Sequence, residues 1–399
     1  MGSDMDMTTD RGAVTEGAGA DRQVEQGRLL LKVHGLTKIF QASAGAFTTK
    51  RLDLKAVDNV SFDLIAGETL GLVGESGCGK TTVGRCLLRL YEPEAGRVFL
   101  DPEDQVVEEI LRLDARIAEL RADIASGEGN GRHTGEMKAE LRQLVRRVRR
   151  LARSRDILSM DKGRLKEMRR RLQVVFQDPW ASLNPRMLVR DIVAEGPREF
   201  KTHSGKELDD FVAELLGKVG LPRQAASRYP HEFSGGQRQR IGVARALSVM
   251  PSLIVCDEPV SALDVSIQAQ ILNLLISLQD DFDLTFIFIA HDLSVVQYVS
   301  DRIAVMYLGR VVEISDTEQV INNPRHPYTI SLLSAVPVAD PDVKKEEIIL
   351  EGDVPSPINP PSGCTFHPRC PRRIDVCSKV LPPLAEETPG HFFACHNPP

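Results

Sequence analysis

Long apolar runs are missing from this 399-residue chain: no stretch approaches the roughly 18 consecutive apolar residues that a membrane-spanning helix needs. An apolar leader is missing too. Residues 1–27 contain Gly, Asp and Glu, lack the hydrophobic centre of a secretory signal, and read as a disordered tail. There is no basic excess of the kind that draws a protein to nucleic acid, since the formal net charge is -6. In a chain expected to be cytosolic, disulfides are a poor explanation for the four cysteines of the last stretch, Cys364, Cys370, Cys377 and Cys395. What remains, at 42% hydrophobic content, suits a soluble cytoplasmic chain large enough for two or three cores. Any work at a membrane would then go through partners.

The clearest local pattern is Gly74-Glu75-Ser76-Gly77-Cys78-Gly79-Lys80-Thr81. Thr69 to Val73 before it read as a buried strand, and Thr82 to Leu90 after it as a helix. In that context Gly77 and Gly79 let successive N–H groups converge on phosphates, Lys80 reaches the β/γ-phosphates, and the Thr81 hydroxyl is placed for Mg²⁺. A second element, Leu253-Ile254-Val255-Cys256-Asp257-Glu258, is an apolar strand ending in two carboxylates. Asp257 can hold Mg²⁺ through water, and Glu258 can orient or deprotonate an attacking water at a γ-phosphate. Gln177 and His291 also follow apolar runs, Val174 to Phe176 and Phe286 to Ala290. Carboxyl ends of strands are where an open parallel sheet binds its ligand. Asp264 follows Glu258 closely enough to line a subunit interface.

With Ser234-Gly235-Gly236-Gln237 standing just before that second strand, the chain resembles the ATP-binding cassette (ABC) ATPase family over residues from about 28 to 325. The motifs match in order and spacing: Walker A at 74–81, Gln177, the signature at 234–237, Walker B at 253–258, and the switch His291. The resemblance implies an α/β P-loop fold with a helical signature subdomain at 178–250, within which Phe211, Leu215, Leu216 and Val219 form one amphipathic stripe. It implies nucleotide contact from Phe40 (stacking on adenine), from Gly74 through Thr82, and from Asp257, Ser234, Gly235, Gly236, Gln237 and Asp264. Glu258, His291 and Gln177 would be catalytic, with Mg²⁺ held by Thr81, Gln177 and Asp257. Two such chains would sandwich two ATP molecules head to tail, Ser234 and Gly236 of one facing the phosphates held by the other. Trp180, directly after Gln177-Asp178-Pro179, reads equally as a coupling residue or as core.

Residues 103–155 do not belong to a minimal ATPase. Val106, Ile110, Leu113, Ile117, Leu120 and Ile124 form one heptad-like stripe, and Met137, Leu141, Leu144, Val148 and Leu151 a second. Ser126 to Gly131 between them break any helix. Residues 103–125 carry seven acids and three bases, residues 136–155 eight bases and two acids. Opposite charge favours two arms lying side by side as an antiparallel coiled-coil hairpin. The run at Arg146, Arg147, Arg149 and Arg150 is expected to be a solvated face neutralised by the partner helix, with nucleic acid or anionic lipid as the alternative.

The C-terminal stretch 326–399 resembles the peptide/nickel importer branch through Asn323 to Thr329, Leu332-Leu333, Val336-Pro337 and Gly363 to Pro371, with the Walker A wording closer to the F-type subunit. Cys364, Cys370, Cys377 and Cys395 gather here in a Pro-rich, weakly apolar tail, where a metal could substitute for a hydrophobic core. Spacing does not separate Zn²⁺ from an iron–sulfur cluster; the resemblance implies a four-cysteine [4Fe–4S] site, with His367, His391 and His396 as structural neighbours. Cys78, Cys86 and Cys256 are expected as buried thiols.

The expected function is the ATP-hydrolysing subunit of an importer for peptides or related solutes, peripheral to the cytoplasmic face of the membrane. Its partners would be a second ABC ATPase in a heterodimer, two permeases and, indirectly, an extracytoplasmic binding protein, without nucleic acid. The rival is a soluble DNA-repair or chromosome-type ABC ATPase, which would place its insert between Gln177 and the signature. A translation-factor cassette protein would need two cassettes, and one is present.

Overall fold

The computed structural model describes residues 27–43, 51–126, 131–336 and 348–399. Of the expected tail over 1–27 and the helix-breaking link at 126–131, residues 1–26 and 127–130 lie outside the described residues, as does Pro337. Strands β1 (Leu29–Ser43), β2 (Arg51–Ile65) and β4 (Ala95–Leu100) form a small antiparallel sheet in the order β2-β1-β4.

The main sheet also contains β3 (Thr69–Val73), β5 (Leu172–Val175), β6 (Leu253–Asp257), β7 (Thr285–Ile289), β8 (Arg302–Tyr307), β9 (Arg310–Asp316), β10 (Ala385–Thr388) and β11 (His391–Phe393). Their order is β10-β11-β9-β8-β3-β7-β6-β5, with β8 through β5 parallel and the β9 side antiparallel. Every residue of β3, β6 and β7 is buried, as both-face coverage requires. Alternate residues serve opposite faces. Ile254, Cys256, Phe286 and Phe288 join one core, while Leu253, Val255, Ile287 and Ile289 join the other with Leu70 and Leu72. Helix α1 (Lys80–Leu87) covers the second face and adds Val83 and Leu87.

Helices α2 (Asp104–Ser126) and α3 (Gly131–Ala152) pack through Ile110, Ile117, Leu113, Leu141, Leu144 and Val148. Their ion pairs run in opposite directions: Glu140 meets Arg116, Arg147 meets Glu109, and beyond α3 Arg155 meets Glu103. The base of this insert is tied to β4. Arg97 takes Asp114 with two bonds of 2.8 and 3.0 Å and the fully buried Asp156 with one of 2.8 Å. Asp156 in turn accepts the Val98 and Leu158 N–H groups and the Ser159 hydroxyl.

After α4 (Lys162–Arg171), helices α5 (Val189–Glu199), α6 (Gly205–Lys218) and α7 (Gly235–Leu247) pack on one another, and α6 buries Val212, Leu215 and Leu216. Helices α8 (Val265–Phe282), α9 (Leu293–Val299), α10 (Thr317–Asn322) and α11 (Pro327–Ser334) complete the body. Among the described residues no helix is long and apolar enough to cross a membrane.

The C-terminal stretch does not stand apart. Strand β11 pairs with β9, and Phe366 is buried in the main core against Tyr307 and Tyr328. The structure does not bear out the expected metal cluster. Among the described residues, no group of three or more His, Cys, Asp or Glu side chains stands where it could hold a metal ion. That finding overturns both the [4Fe–4S] and the Zn²⁺ reading of Cys364, Cys370, Cys377 and Cys395. The physical reason is that the tail borrows an apolar core instead of lacking one: Phe366, Cys377 and Phe393 are buried, and Cys364 and Cys370 pack against the main cluster. Burial raises the thiol pKa of Cys364 and Cys370, and pushes that of Cys395 up to about 11. The neighbouring rings are engaged elsewhere, His367 with the Cys364 carbonyl, His396 with the Val380 carbonyl and His391 with Glu313.

Candidate functional site

The turn from β3 into α1 is a loop only glycine can make. Gly74 and Gly79 have φ of +148° and +106°, and a Cβ on either would meet the Met306 or Ala56 carbonyl oxygen at 2.2 or 2.1 Å. Lys80 is buried and folds back across the loop, donating to the Gly74 and Glu75 carbonyls at 2.7 and 3.0 Å. The N–H groups of Lys80, Thr81 and Thr82 open α1 and have no acceptor among the described residues, so they face the loop as a ready anion site. The residues present therefore fit a bound polyphosphate.

Thr81 Oγ1 donates to Asp257 Oδ1 at 2.7 Å, joining the loop to the end of β6. Burial pushes the Asp257 carboxyl above its ordinary range, with the Thr81 hydrogen bond opposing. A hydroxyl and a carboxylate oxygen in contact make the donor set that a hard cation such as Mg²⁺ takes.

Next along the chain, Glu258 sits at φ +48°, in the left-handed region that a Glu seldom occupies, and its N–H is held by the Ile289 carbonyl at 2.9 Å. This turn aims the carboxylate along the strand ends. Glu258 Oε2 accepts Gln177 Nε2 at 2.8 Å and lies 3.3 Å from His291 Nδ1. Three side chains from the ends of β5, β6 and β7 thus meet at one oxygen. Glu258 is mostly covered, with 15% of its side chain exposed, whereas His291 is 57% exposed.

The Ser-Gly-Gly-Gln turn starts α7 as a capping box: Ser234 Oγ accepts the Gln237 N–H, and Gln237 Oε1 accepts the Ser234 N–H at 3.1 Å. Ser234 and Gln237 are exposed. A Cβ on Gly236 would meet Ile267 at 2.4 Å, and one on Gly235 would touch Leu263. The turn therefore packs beside Asp264, the exposed residue that precedes α8. Phe40 is half-buried on β1, edge-on to Tyr91 at 5.3 Å with the Lys38 ammonium over its ring. Trp180 is 63% exposed, not core, and the Arg238 guanidinium stacks on it. Cys78, Cys86 and Cys256 are buried thiols, and burial pushes Cys86 up to about 12.

Two contacts of the phosphate loop were not read from the sequence. The Glu75 N–H donates to the Tyr328 hydroxyl at 2.9 Å, and the Glu75 carboxylate is paired with Arg369. Both partners lie inside stretches singled out only as branch markers, 323–329 and 363–371.

Comparison with known proteins agrees with this geometry. The family described as "ABC transporter" matches residues 57–160 and 150–261, and "Oligopeptide/dipeptide transporter, C-terminal region" matches 312–377. The oligopeptide transport ATP-binding protein AppF of Bacillus subtilis is 45% identical over 371 residues, 92% of this chain and 97% of the relative. A probable peptide ABC transporter ATP-binding protein of Sinorhizobium fredii is 46% identical over 367 residues, 92% of this chain and 89% of the relative. Among solved structures, cbiO1 of Clostridium perfringens has a TM-score of 0.53 at 20% identity, covering 74% of this chain and 92% of that one. The ATP-binding cassette MJ0796, a dimer bound to ADP and Pi, has a TM-score of 0.52 at 23% identity, covering 72% of this chain and 99% of that one. At those identities the structures speak for the fold alone. With a P-loop sheet, carboxylates at its strand ends and relatives at such identity, the chain belongs to the ABC transporter ATP-binding proteins, in the oligopeptide/dipeptide transporter branch, and is an ATPase.

Proposed function

We propose that this chain is the ATP-hydrolysing subunit of an importer for peptides, peripheral to the cytoplasmic face of the membrane. The observation that carries this reading is the convergence of Gln177, Glu258 and His291 at one carboxylate oxygen beside the loop at Gly74–Thr81. Glu258 orients a water and takes its proton as the water attacks in line. Gln177 fixes one oxygen of that carboxylate, and His291 Nδ1 stands 3.3 Å from the same oxygen. Thr81 and Asp257, with Gln177, would hold Mg²⁺, which when bound neutralises charge on the phosphates. Lys80 and the first N–H groups of α1 hold the phosphates themselves, and Phe40 stacks on the adenine.

The exposed Ser234 and Gln237 of the turn, with Asp264, form the face that a second ATPase subunit covers. A helix N-terminus offered to solvent suits the phosphates bound by that partner. The partner is a distinct ABC ATPase, and closure of the pair drives two permeases supplied by an extracytoplasmic binding protein. Residues 28–325 would serve as the ATP-binding unit and 326–399 as its extension. The insert at 103–155 is an antiparallel coiled-coil hairpin that meets another protein.

The reading is tested by affinity purification of the tagged chain from gently solubilised membranes, followed by mass spectrometry. Recovery of two polytopic permeases with a second ABC ATPase is the expected result. Recovery of DNA-associated proteins without a permease would overturn it in favour of the soluble repair-type ATPase.

A further inference from the structure

Glu75 stands one residue into the phosphate loop, and its N–H and its carboxylate are both taken by the C-terminal stretch. Its N–H donates to the hydroxyl of Tyr328, at the start of α11. Its carboxylate receives Arg369 Nη1 at 2.9 Å and Nη2 at 3.1 Å, a two-bond fork that fixes direction as well as distance. These partners lie 253 and 294 positions further along the chain. They are not surface contacts: Tyr328 is fully buried and the Arg369 side chain is 8% exposed. Tyr307, at the end of β8, packs on Tyr328 with ring centroids 4.7 Å apart, and Phe366 closes the cluster at 5.4 Å from Tyr328. The Tyr307 side chain is buried beside Arg369, whose charge opposes the rise in the phenol pKa that burial causes.

A carboxylate inside a loop built to hold phosphate is an electrostatic conflict, because an unpaired negative charge there repels the anion that the N–H groups attract. Arg369 removes the conflict, and the Tyr328 hydroxyl accepts the Glu75 N–H. We propose that Arg369 and Tyr328 are positioning residues of the nucleotide site, through which the C-terminal stretch neutralises Glu75 and fixes the phosphate loop. This rests on the reading of Gly74–Thr81 as the phosphate loop. The C-terminal stretch thereby becomes a condition for tight nucleotide binding.

Three variants and two readouts test it on the full-length protein: R369Q, the double variant E75Q/R369Q, and Y328F, which keeps the buried ring and removes only the hydroxyl. Equilibrium binding of a fluorescent ATP analogue is expected to weaken about tenfold in R369Q, with kcat moving far less, and to return to within about threefold of wild type in E75Q/R369Q. In the nucleotide-free protein, amide hydrogen exchange over residues 74–80 is expected to quicken in R369Q and in Y328F. Wild-type affinity in R369Q, or a double variant no better than R369Q, would overturn the neutralising role. Unchanged exchange in Y328F would overturn the fixing role. If the wild-type protein bound no ATP, the phosphate-loop reading itself would fail, while the exchange experiment would still report on the clamp.

Discussion

Gln177 and His291 stand 114 positions apart in the chain, yet both reach the same oxygen of Glu258. Cys364, Cys370, Cys377 and Cys395 fall within 32 residues, yet they assemble no group able to hold a metal ion. The first set sits at the ends of parallel neighbouring strands, where the hydrogen-bonded register of β5, β6 and β7 leaves each side chain little choice of position. The second set sits in loops and one short 3-10 turn, Asp375–Ser378, where no strand register sets the side chains. What organises the C-terminal stretch is its docking on the main core through Phe366 and β11, fastened by Glu313. That fully buried carboxylate accepts the Arg325 and His326 N–H groups at 2.7 and 2.9 Å and contacts His391 Nε2 at 2.7 Å.

The contrast can be broken at either end. The largest expected effect is at the strand ends: E258Q keeps the shape and the Gln177 contact but loses the base, and should cut ATP turnover by about 10²–10⁴-fold while ATP still binds. Near-normal hydrolysis by that variant would remove Glu258 from its role. In the tail, E313A leaves two N–H groups and a ring nitrogen unpaired in the interior and should cost about 3–5 kcal/mol, read from urea midpoints. A shift no larger than that of a surface substitution would show that the tail is fastened elsewhere.

The third effect depends on pH. His326 is buried, and its Nδ1 accepts the Tyr328 N–H at 3.1 Å. Burial pulls its pKa down from 6.5 to about 4, partly opposed by Glu313. Between those values the unfolded chain binds a proton that the folded chain refuses. The stability from the neutral ring is therefore whole above about pH 6.5 and is lost as pH falls towards 4. The full loss is about 3 kcal/mol, and H326N, which keeps an acceptor but cannot titrate, should flatten that part of the profile. An identical acid loss in H326N would assign the sensitivity to other groups.

The smallest effect concerns the signature turn. S234A removes one half of a capping box and should destabilise the protein by about 1 kcal/mol. If the turn also faces a partner's phosphates, S234A should slow turnover by more than that loss of stability explains, measured at protein concentrations where wild type is dimeric. A variant that lost stability but kept full turnover would reduce the turn to a helix cap.

The site was legible where chemistry and secondary structure coincide. Gly74 to Thr81 follow an apolar strand and precede a helix, so the loop's geometry is written in its neighbours. The cysteines misled because the argument for a metal assumed that a weakly apolar tail has no core of its own, and the tail's core is the body of the protein. Arg369 and Tyr328 were illegible for a related reason. Nothing local to either residue announces that its tip meets Glu75, since that meeting depends on how α11 and the 363–377 loop dock beside β8. The charge run at Arg146–Arg150 was half legible: Arg147 finds Glu109 across the helix pair, as opposite arm charges imply.

By itself the sequence determined the P-loop sheet, the two helices of the insert and the residue types at the strand ends. Those follow from apolar periodicity, from glycines at positive φ and from carboxylates placed where strands stop, all of which act over a few residues. Only the tertiary structure decided that Glu258 shares one oxygen with both Gln177 and His291, that the tail joins the main sheet, and that Glu75 is held by residues near the other end of the chain. Such contacts are set by the order of strands and the docking of buried surfaces, which act between segments that carry no mark of one another.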